Sequence, residues 1–200
     1  MIAIPYKSPD RRTRAQFLFP ASASWQQAQK LIVEIGPGRG DFLFHLASTN
    51  PDAIILAVEI KSLRVDKLVR RIQKRGMKNI ILIQADGRDF LKTFSEKIHA
   101  LYINFPDPWP KQRHRENRLM NPRFLSSINA LLTPGGFFSF TTDDQTYATY
   151  TSRLLQNIAE FQSLEEKRMS TSAPDAFPTY FSEKWKAMGR TIYYQRYKKL

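Results

Sequence analysis

The sequence predicts an α/β protein built on a mostly parallel seven-stranded sheet, with an antiparallel edge strand and helices on both faces. Three observations point there. Short apolar runs rich in Ile, Val and Leu alternate with longer amphipathic segments, the pattern of strands buried on both faces and joined by crossover helices. The first run leads directly into closely spaced glycines. The last two runs are linked by a segment with no clear helical period, as an antiparallel pair at a sheet edge allows.

Taken in order, the strands are LIVEI (31–35), IILAVE (54–59), IILIQA (80–85), ALYIN (100–104), GFFSFTT (136–142), a weaker FQSLEEK (161–167) and TIYYQRY (191–197). Each is an apolar or β-branched run of strand length. Helices are expected between them, at about 40–49, 62–75, 88–95, 121–132 and 144–159. The segment MSTSAPDAFPTYFSEKW before the last strand reads as a loop. Residues 1–24 are basic and proline-containing, and read as a mobile arm ahead of one domain, 25–200. A chain of 200 residues buries roughly 70% of its unfolded surface, enough for a sizeable core.

Composition narrows the function. Thirty-one Lys and Arg against eighteen Asp and Glu leave a net charge of +13, more than solubility requires, and a polyanionic partner follows. The charge gathers in RRTR (11–14), KQRHRENR (111–118) and RYKK (196–199), while the stretch between the first two looks balanced. Aromatics at 12% exclude a disordered chain, and no apolar run approaches the ~20 residues of a membrane span. The N-terminus lacks the order of a secretory signal. Without cysteine there are no disulfides and no thiolate metal sites; a cytoplasmic location fits, and no metal is expected.

LIVEI runs into Gly36, Gly38 and Gly40 and then into the apolar segment DFLFHLA. Such a turn lets backbone approach a ligand and leaves free N–H groups at the helix start. The spacing is G-x-G-x-G, not the G-x-G-x-x-G of dinucleotide enzymes, and Glu34 stands two residues before the first glycine. That favours S-adenosylmethionine over NAD. Glu59 closes the second strand, where a carboxylate can accept ribose hydroxyls, and Asp86 follows the third, beside the adenine edge. The structural alternative for each is a helix N-cap or a solvated loop acid.

The fourth strand ends in NFPDPWPKQRHRENR. Pro106, Pro108 and Pro110 fix backbone angles at alternate positions and so limit where Asp107 and Trp109 can point. Trp109 can stack on a base or pack under the sheet. Beyond it, Lys111, Arg113, His114, Arg115 and Arg118 can neutralise phosphates next to the chemistry, or form a solvated helix face.

These residues closely resemble the bacterial tRNA (guanine-N7-)-methyltransferases. The likeness covers nearly the whole chain, through EIGPGRGDF, VEI, QADGRDF, NFPDPWPKQRH, FTTDD and PTYFSEKWKAMGRTIYY. It implies a Rossmann-like class I methyltransferase fold, S-adenosylmethionine as donor, and N7 of a guanine in the tRNA variable loop as acceptor. It further implies that Glu34, Glu59, Asp86 and Asp107 serve the cofactor, with Asp107 also catalytic, and that Lys111 and Asp143 contact substrate. The family's substrate-contacting T-x-x-E element differs here: Thr179 is present, but Ser182 holds the fourth position and Glu183 follows, and the likeness places these three at the substrate. Glu116 and Asn117 also interrupt the basic run. The expected assembly is a monomer or a homodimer acting on tRNA, away from membranes.

Guanine N7 has a lone pair and no proton at neutral pH, so it needs no general base. Catalysis then rests on alignment, with a carboxylate offsetting charge on the purine. Three other readings compete: a noncatalytic RNA-binding protein that kept the fold, an NAD oxidoreductase, and a methyltransferase acting on an exocyclic amine.

Overall fold

The computed structural model describes residues 2–7, 14–19, 29–173 and 176–200. The chain divides into two compact units, Met1–Phe94 and Ser95–Leu200.

In the first unit the elements are β1 (Ile2–Lys7), β2 (Arg14–Phe19), β3 (Lys30–Ile35), α1 (Asp41–Thr49), β4 (Ala53–Glu59), α2 (Ser62–Arg75), β5 (Ile80–Gln84) and α3 (Gly87–Thr93). Strands β3, β4 and β5 pair in parallel, β3 with β4 and β4 with β5. Their residues are almost wholly buried, which explains why they read as continuous apolar runs rather than alternating ones. Helix α2 buries Val65, Leu68 and Ile72 and ends at Gly76, whose φ of 63° suits the left-handed cap that glycine tolerates best. The hairpin of β1 and β2, with β2 antiparallel to β5, lies within the segment expected as an arm; regular structure was not foreseen there. Arg11, Arg12 and Thr13 of the RRTR cluster fall outside the described residues.

The second unit holds β6 (Ile98–Asn104), a 3₁₀ turn (Gln112–Asn117), α4 (Pro122–Leu131), β7 (Leu132–Thr142), α5 (Gln145–Leu155), β8 (Phe161–Ser163), α6 (Tyr180–Ala187) and β9 (Tyr193–Lys199). Strands β6 and β7 are parallel; β9 runs antiparallel to β7, and β8 antiparallel to β9. The seven expected strands are therefore β3 to β9, including the antiparallel pair.

Two expectations are corrected. FQSLEEK is a strand only through Ser163, because the Ser163 hydroxyl accepts the Glu165 N–H (3.1 Å) and donates to the Glu165 carbonyl (3.0 Å). Such a side-chain turn competes with the sheet ladder. The segment expected as a loop before β9 contains α6. Ser182 is the one residue this helix buries, so no apolar stripe announced it.

Candidate functional site

In the first unit the glycine turn is held by acids. Gly36, Gly38 and Gly40 all take positive φ, at 77°, 56° and 82°. A Cβ on Gly40 would lie 2.6 Å from Leu68 Cδ2, whereas one on Gly36 would meet nothing within 4 Å. Gly40 is thus required by packing, and Gly36 leaves room for backbone to meet a ligand. The Gly38 N–H donates to Glu59 Oε2 (3.3 Å) and the Lys61 N–H to Glu59 Oε1 (2.9 Å). Arg64 stands 3.7 Å from Glu59 Oε2. Glu59 therefore fixes the turn itself, with lone pairs left for ribose hydroxyls.

Glu34 is 2% exposed, and its Oε2 has no partner among the described residues. Burial pushes its carboxyl from 4.5 up to about 8, and Asp41 and Glu59 push the same way. A buried carboxyl with one oxygen unpartnered among the described residues, and with two further acids acting on it, suits a cationic group, and the sulfonium donor carries an amino group of that kind. The donor set fits S-adenosylmethionine. Asp86 is the N-cap of α3: it accepts the Arg88 N–H at 2.7 Å and two guanidinium N–H bonds at 3.2 Å each. The structural alternative is realised there, and contact with adenine has to share that carboxylate with Arg88.

In the second unit β6 ends at Asn104, whose Nδ2 is buried without a partner among the described residues. The loop that follows is strained at both ends of the Pro-Asp-Pro step. Phe105 has φ 51° and Trp109 φ 44°, a region costing on the order of 1–3 kcal/mol for a bulky residue and found chiefly where function demands it. Between them Asp107 is exposed. Trp109 is half-buried and meets the His114 ring edge-on at 5.8 Å, so it supports the 3₁₀ turn rather than packing under the sheet.

What pins this loop is Arg118. Its Nε donates to the Pro108 carbonyl (2.8 Å), and its guanidinium lies over the rings of Tyr147 (5.0 Å) and Tyr150 (5.3 Å). Arg118 is 2% exposed. It is a buried strut, which corrects its expected role as a phosphate contact. The Tyr147 hydroxyl in turn accepts the Met120 N–H (2.9 Å), and burial holds that phenol well above its usual range. A clue lay in the sequence: Arg118 directly precedes Leu119 and Met120 and the N-cap Asn121, where the chain turns inward. Lys111, Arg113 and Arg115 are exposed as expected.

The remaining expected residues have mixed placements. Asp143 accepts from Arg190 (2.5 Å), which stacks on Trp185 at 4.3 Å. Thr179 and Ser182 form a capping box: Ser182 N–H donates to Thr179 Oγ1 (3.1 Å) and Thr179 N–H to Ser182 Oγ (2.8 Å). Ser182 is 5% exposed. These two hydroxyls start α6, and Glu183 beside them is exposed, 3.5 Å from Lys186. In RYKK, Arg196 pairs with Glu165 and Lys199 donates to the Asn129 and Leu132 carbonyls. That cluster is largely spent inside the unit, contrary to expectation. Among the described residues no helix is long and apolar enough to cross a membrane, and no group of His, Cys, Asp and Glu could hold a metal ion.

Residues 28–195 match the family described as "Putative methyltransferase". The chain is 33% identical over 188 residues to the tRNA (guanine-N(7)-)-methyltransferase of Geobacter metallireducens, covering 89% of this chain and 86% of that protein. It is 32% identical over 167 residues to the enzyme of the same name from Arthrobacter sp. strain FB24, covering 82% of this chain and 52% of that one. It thus spans about half the length of the Arthrobacter relative. Among solved structures, an rRNA methylase from Streptococcus thermophilus matches with a TM-score of 0.61 at 15% identity, over 86% of this chain and 88% of that one. That likeness shows the fold alone, the α/β class I methyltransferase fold. With the glycine turn, its acids and the strained Pro-Asp-Pro loop in place, the chain belongs to the tRNA (guanine-N(7)-)-methyltransferase family.

Proposed function

We propose that the protein methylates N7 of a guanine in the variable loop of tRNA, giving 7-methylguanosine. The observation that carries this reading is Glu34, a buried carboxyl next to the glycine turn with one oxygen that has no partner among the described residues. When bound, S-adenosylmethionine supplies an electrophilic methyl group on a sulfonium. Glu34 accepts from the donor's amino group, Gly36, Gly38 and Gly40 give backbone access, Glu59 takes ribose hydroxyls with its remaining lone pairs, and Asp86 meets the adenine edge. Residues 25–200 work as one catalytic domain, with 1–24 as its basic arm.

Asp107 offsets the positive charge that grows on the purine, and its loop holds it ready because Phe105, Trp109 and Arg118 fix the backbone. Asp107 is assigned to the donor site as well, on the strength of the family likeness. Lys111, Arg113 and Arg115 bind phosphates, and Asp143 and Glu183 contact the RNA, with Thr179 and Ser182 holding the start of α6 for that purpose. No residue need remove a proton, since N7 has none. The test is incubation with unmodified tRNA and labelled donor, followed by nucleoside analysis and mapping of the methyl group. Label in 7-methylguanosine at the variable loop supports the reading; label on an exocyclic amine, or none, refutes it.

A further inference from the structure

Helix α2 carries Arg64, Lys67, Arg70, Arg71, Lys74 and Arg75 against one acid, Asp66. The expectation that the chain between the first two basic clusters is balanced fails here. Because Val65, Leu68 and Ile72 turn to the core, the helical period gathers the cations on the remaining surface. Lys67, Arg70 and Lys74 are exposed. An open depression of about 620 Å³ is lined by Arg39, Arg64, Lys67, Arg70 and Arg71, with Gly38 and Leu68 completing it.

Two of these cations are held in place by acids, Arg64 beside Glu59 (3.7 Å) and Arg71 beside Asp41 (3.6 Å). Arg71 and Arg75 also lie over the Phe44 ring, at 5.0 Å and 4.3 Å. Lys67 and Arg70 have no ion-pair partner among the described residues. Crowding like charges around one depression is self-repulsive in the free protein, and a polyanion relieves it. Planar guanidinium groups suit phosphate oxygens. From Arg64 to Arg75 the helix advances about 16 Å, enough to follow several phosphates of one strand.

We propose that the α2 face is a second phosphodiester-binding surface, gripping the sugar–phosphate backbone of the RNA substrate without reading its bases. It rests on the proposed function, and supplies a contact outside the loop that follows β6. Lys67 and Arg70 are the two α2 cations lining the depression that have no ion-pair partner among the described residues.

The experiment measures tRNA affinity of the full chain by fluorescence anisotropy between roughly 50 and 300 mM salt. In the Lys67→Gln, Arg70→Gln double variant the log–log slope falls by about one to two, and affinity near ~150 mM salt falls roughly fivefold to thirtyfold. The Lys67→Arg, Arg70→Lys variant keeps the charge and the parental slope. Calorimetric donor affinity stays parental in both. An unchanged slope in the neutral variant overturns the proposal. So does a fall in donor affinity, which would make the depression part of the donor site, or an effect confined to phosphatidylglycerol vesicles, which would make it a membrane surface. A parent that binds tRNA with the expected slopes but places no methyl group refutes the proposed function alone; a parent that methylates, with the neutral variant unchanged, refutes this inference alone.

Discussion

Replacing Glu34 with glutamine removes a carboxyl whose pKa burial raises from 4.5 to about 8. Between those values the folded chain holds a proton that the unfolded chain has released. Stability from this group is therefore full below about pH 4.5, declines as pH rises, and is lost above about pH 8. At about 1.36 kcal/mol per pH unit, the window is worth on the order of 3–5 kcal/mol, with little screening because the side chain is 2% exposed. Urea denaturation at several pH values should show the parent losing that stability across the window and Glu34→Gln staying comparatively flat. Donor binding gives a second readout. If the donor's amino group pairs with Glu34, close to one proton leaves per donor bound at about pH 7, measurable by calorimetry in buffers of different ionisation enthalpy. Glu34→Gln should release none. Parallel pH profiles for parent and variant, or donor binding without proton release in the parent, would refute the argument.

Asp107→Asn keeps size but removes charge, and should slow the single-turnover rate at saturating donor and tRNA by roughly tenfold to a thousandfold; a near-parental rate leaves Asp107 as a turn residue only. Arg118→Met removes the bond to the Pro108 carbonyl and should lower that same rate about tenfold, with parental donor affinity, because Arg118 acts by fixing the loop. Parental turnover would show that the loop holds without it. Ser182→Ala breaks one half of the α6 capping box and should cost about 0.5–2 kcal/mol in thermal unfolding. An unchanged melting temperature would mean that α6 contributes nothing to the cooperative unit.

By itself the sequence determined the seven strands β3 to β9, the glycine turn and the polar residues at the strand ends. Each of these is local. A buried parallel strand must be a short apolar run, and a left-handed turn against packed side chains must be glycine, as Gly40 beside Leu68 illustrates. The fate of each charge was a different matter. Arg118 and Arg115 belong to one basic run, yet Arg118 is buried over Tyr147 and Tyr150, residues far along the chain, while Arg115 stays in water. Arg196 is tied to Glu165, and Glu59 to Gly38. The helix α6 depends on a two-hydroxyl cap rather than on an apolar stripe, so its period was silent. Only the tertiary structure decided these outcomes, because a charge's partners come from segments that only folding brings together, and pairing or burial sets whether it braces the fold or remains available to a ligand.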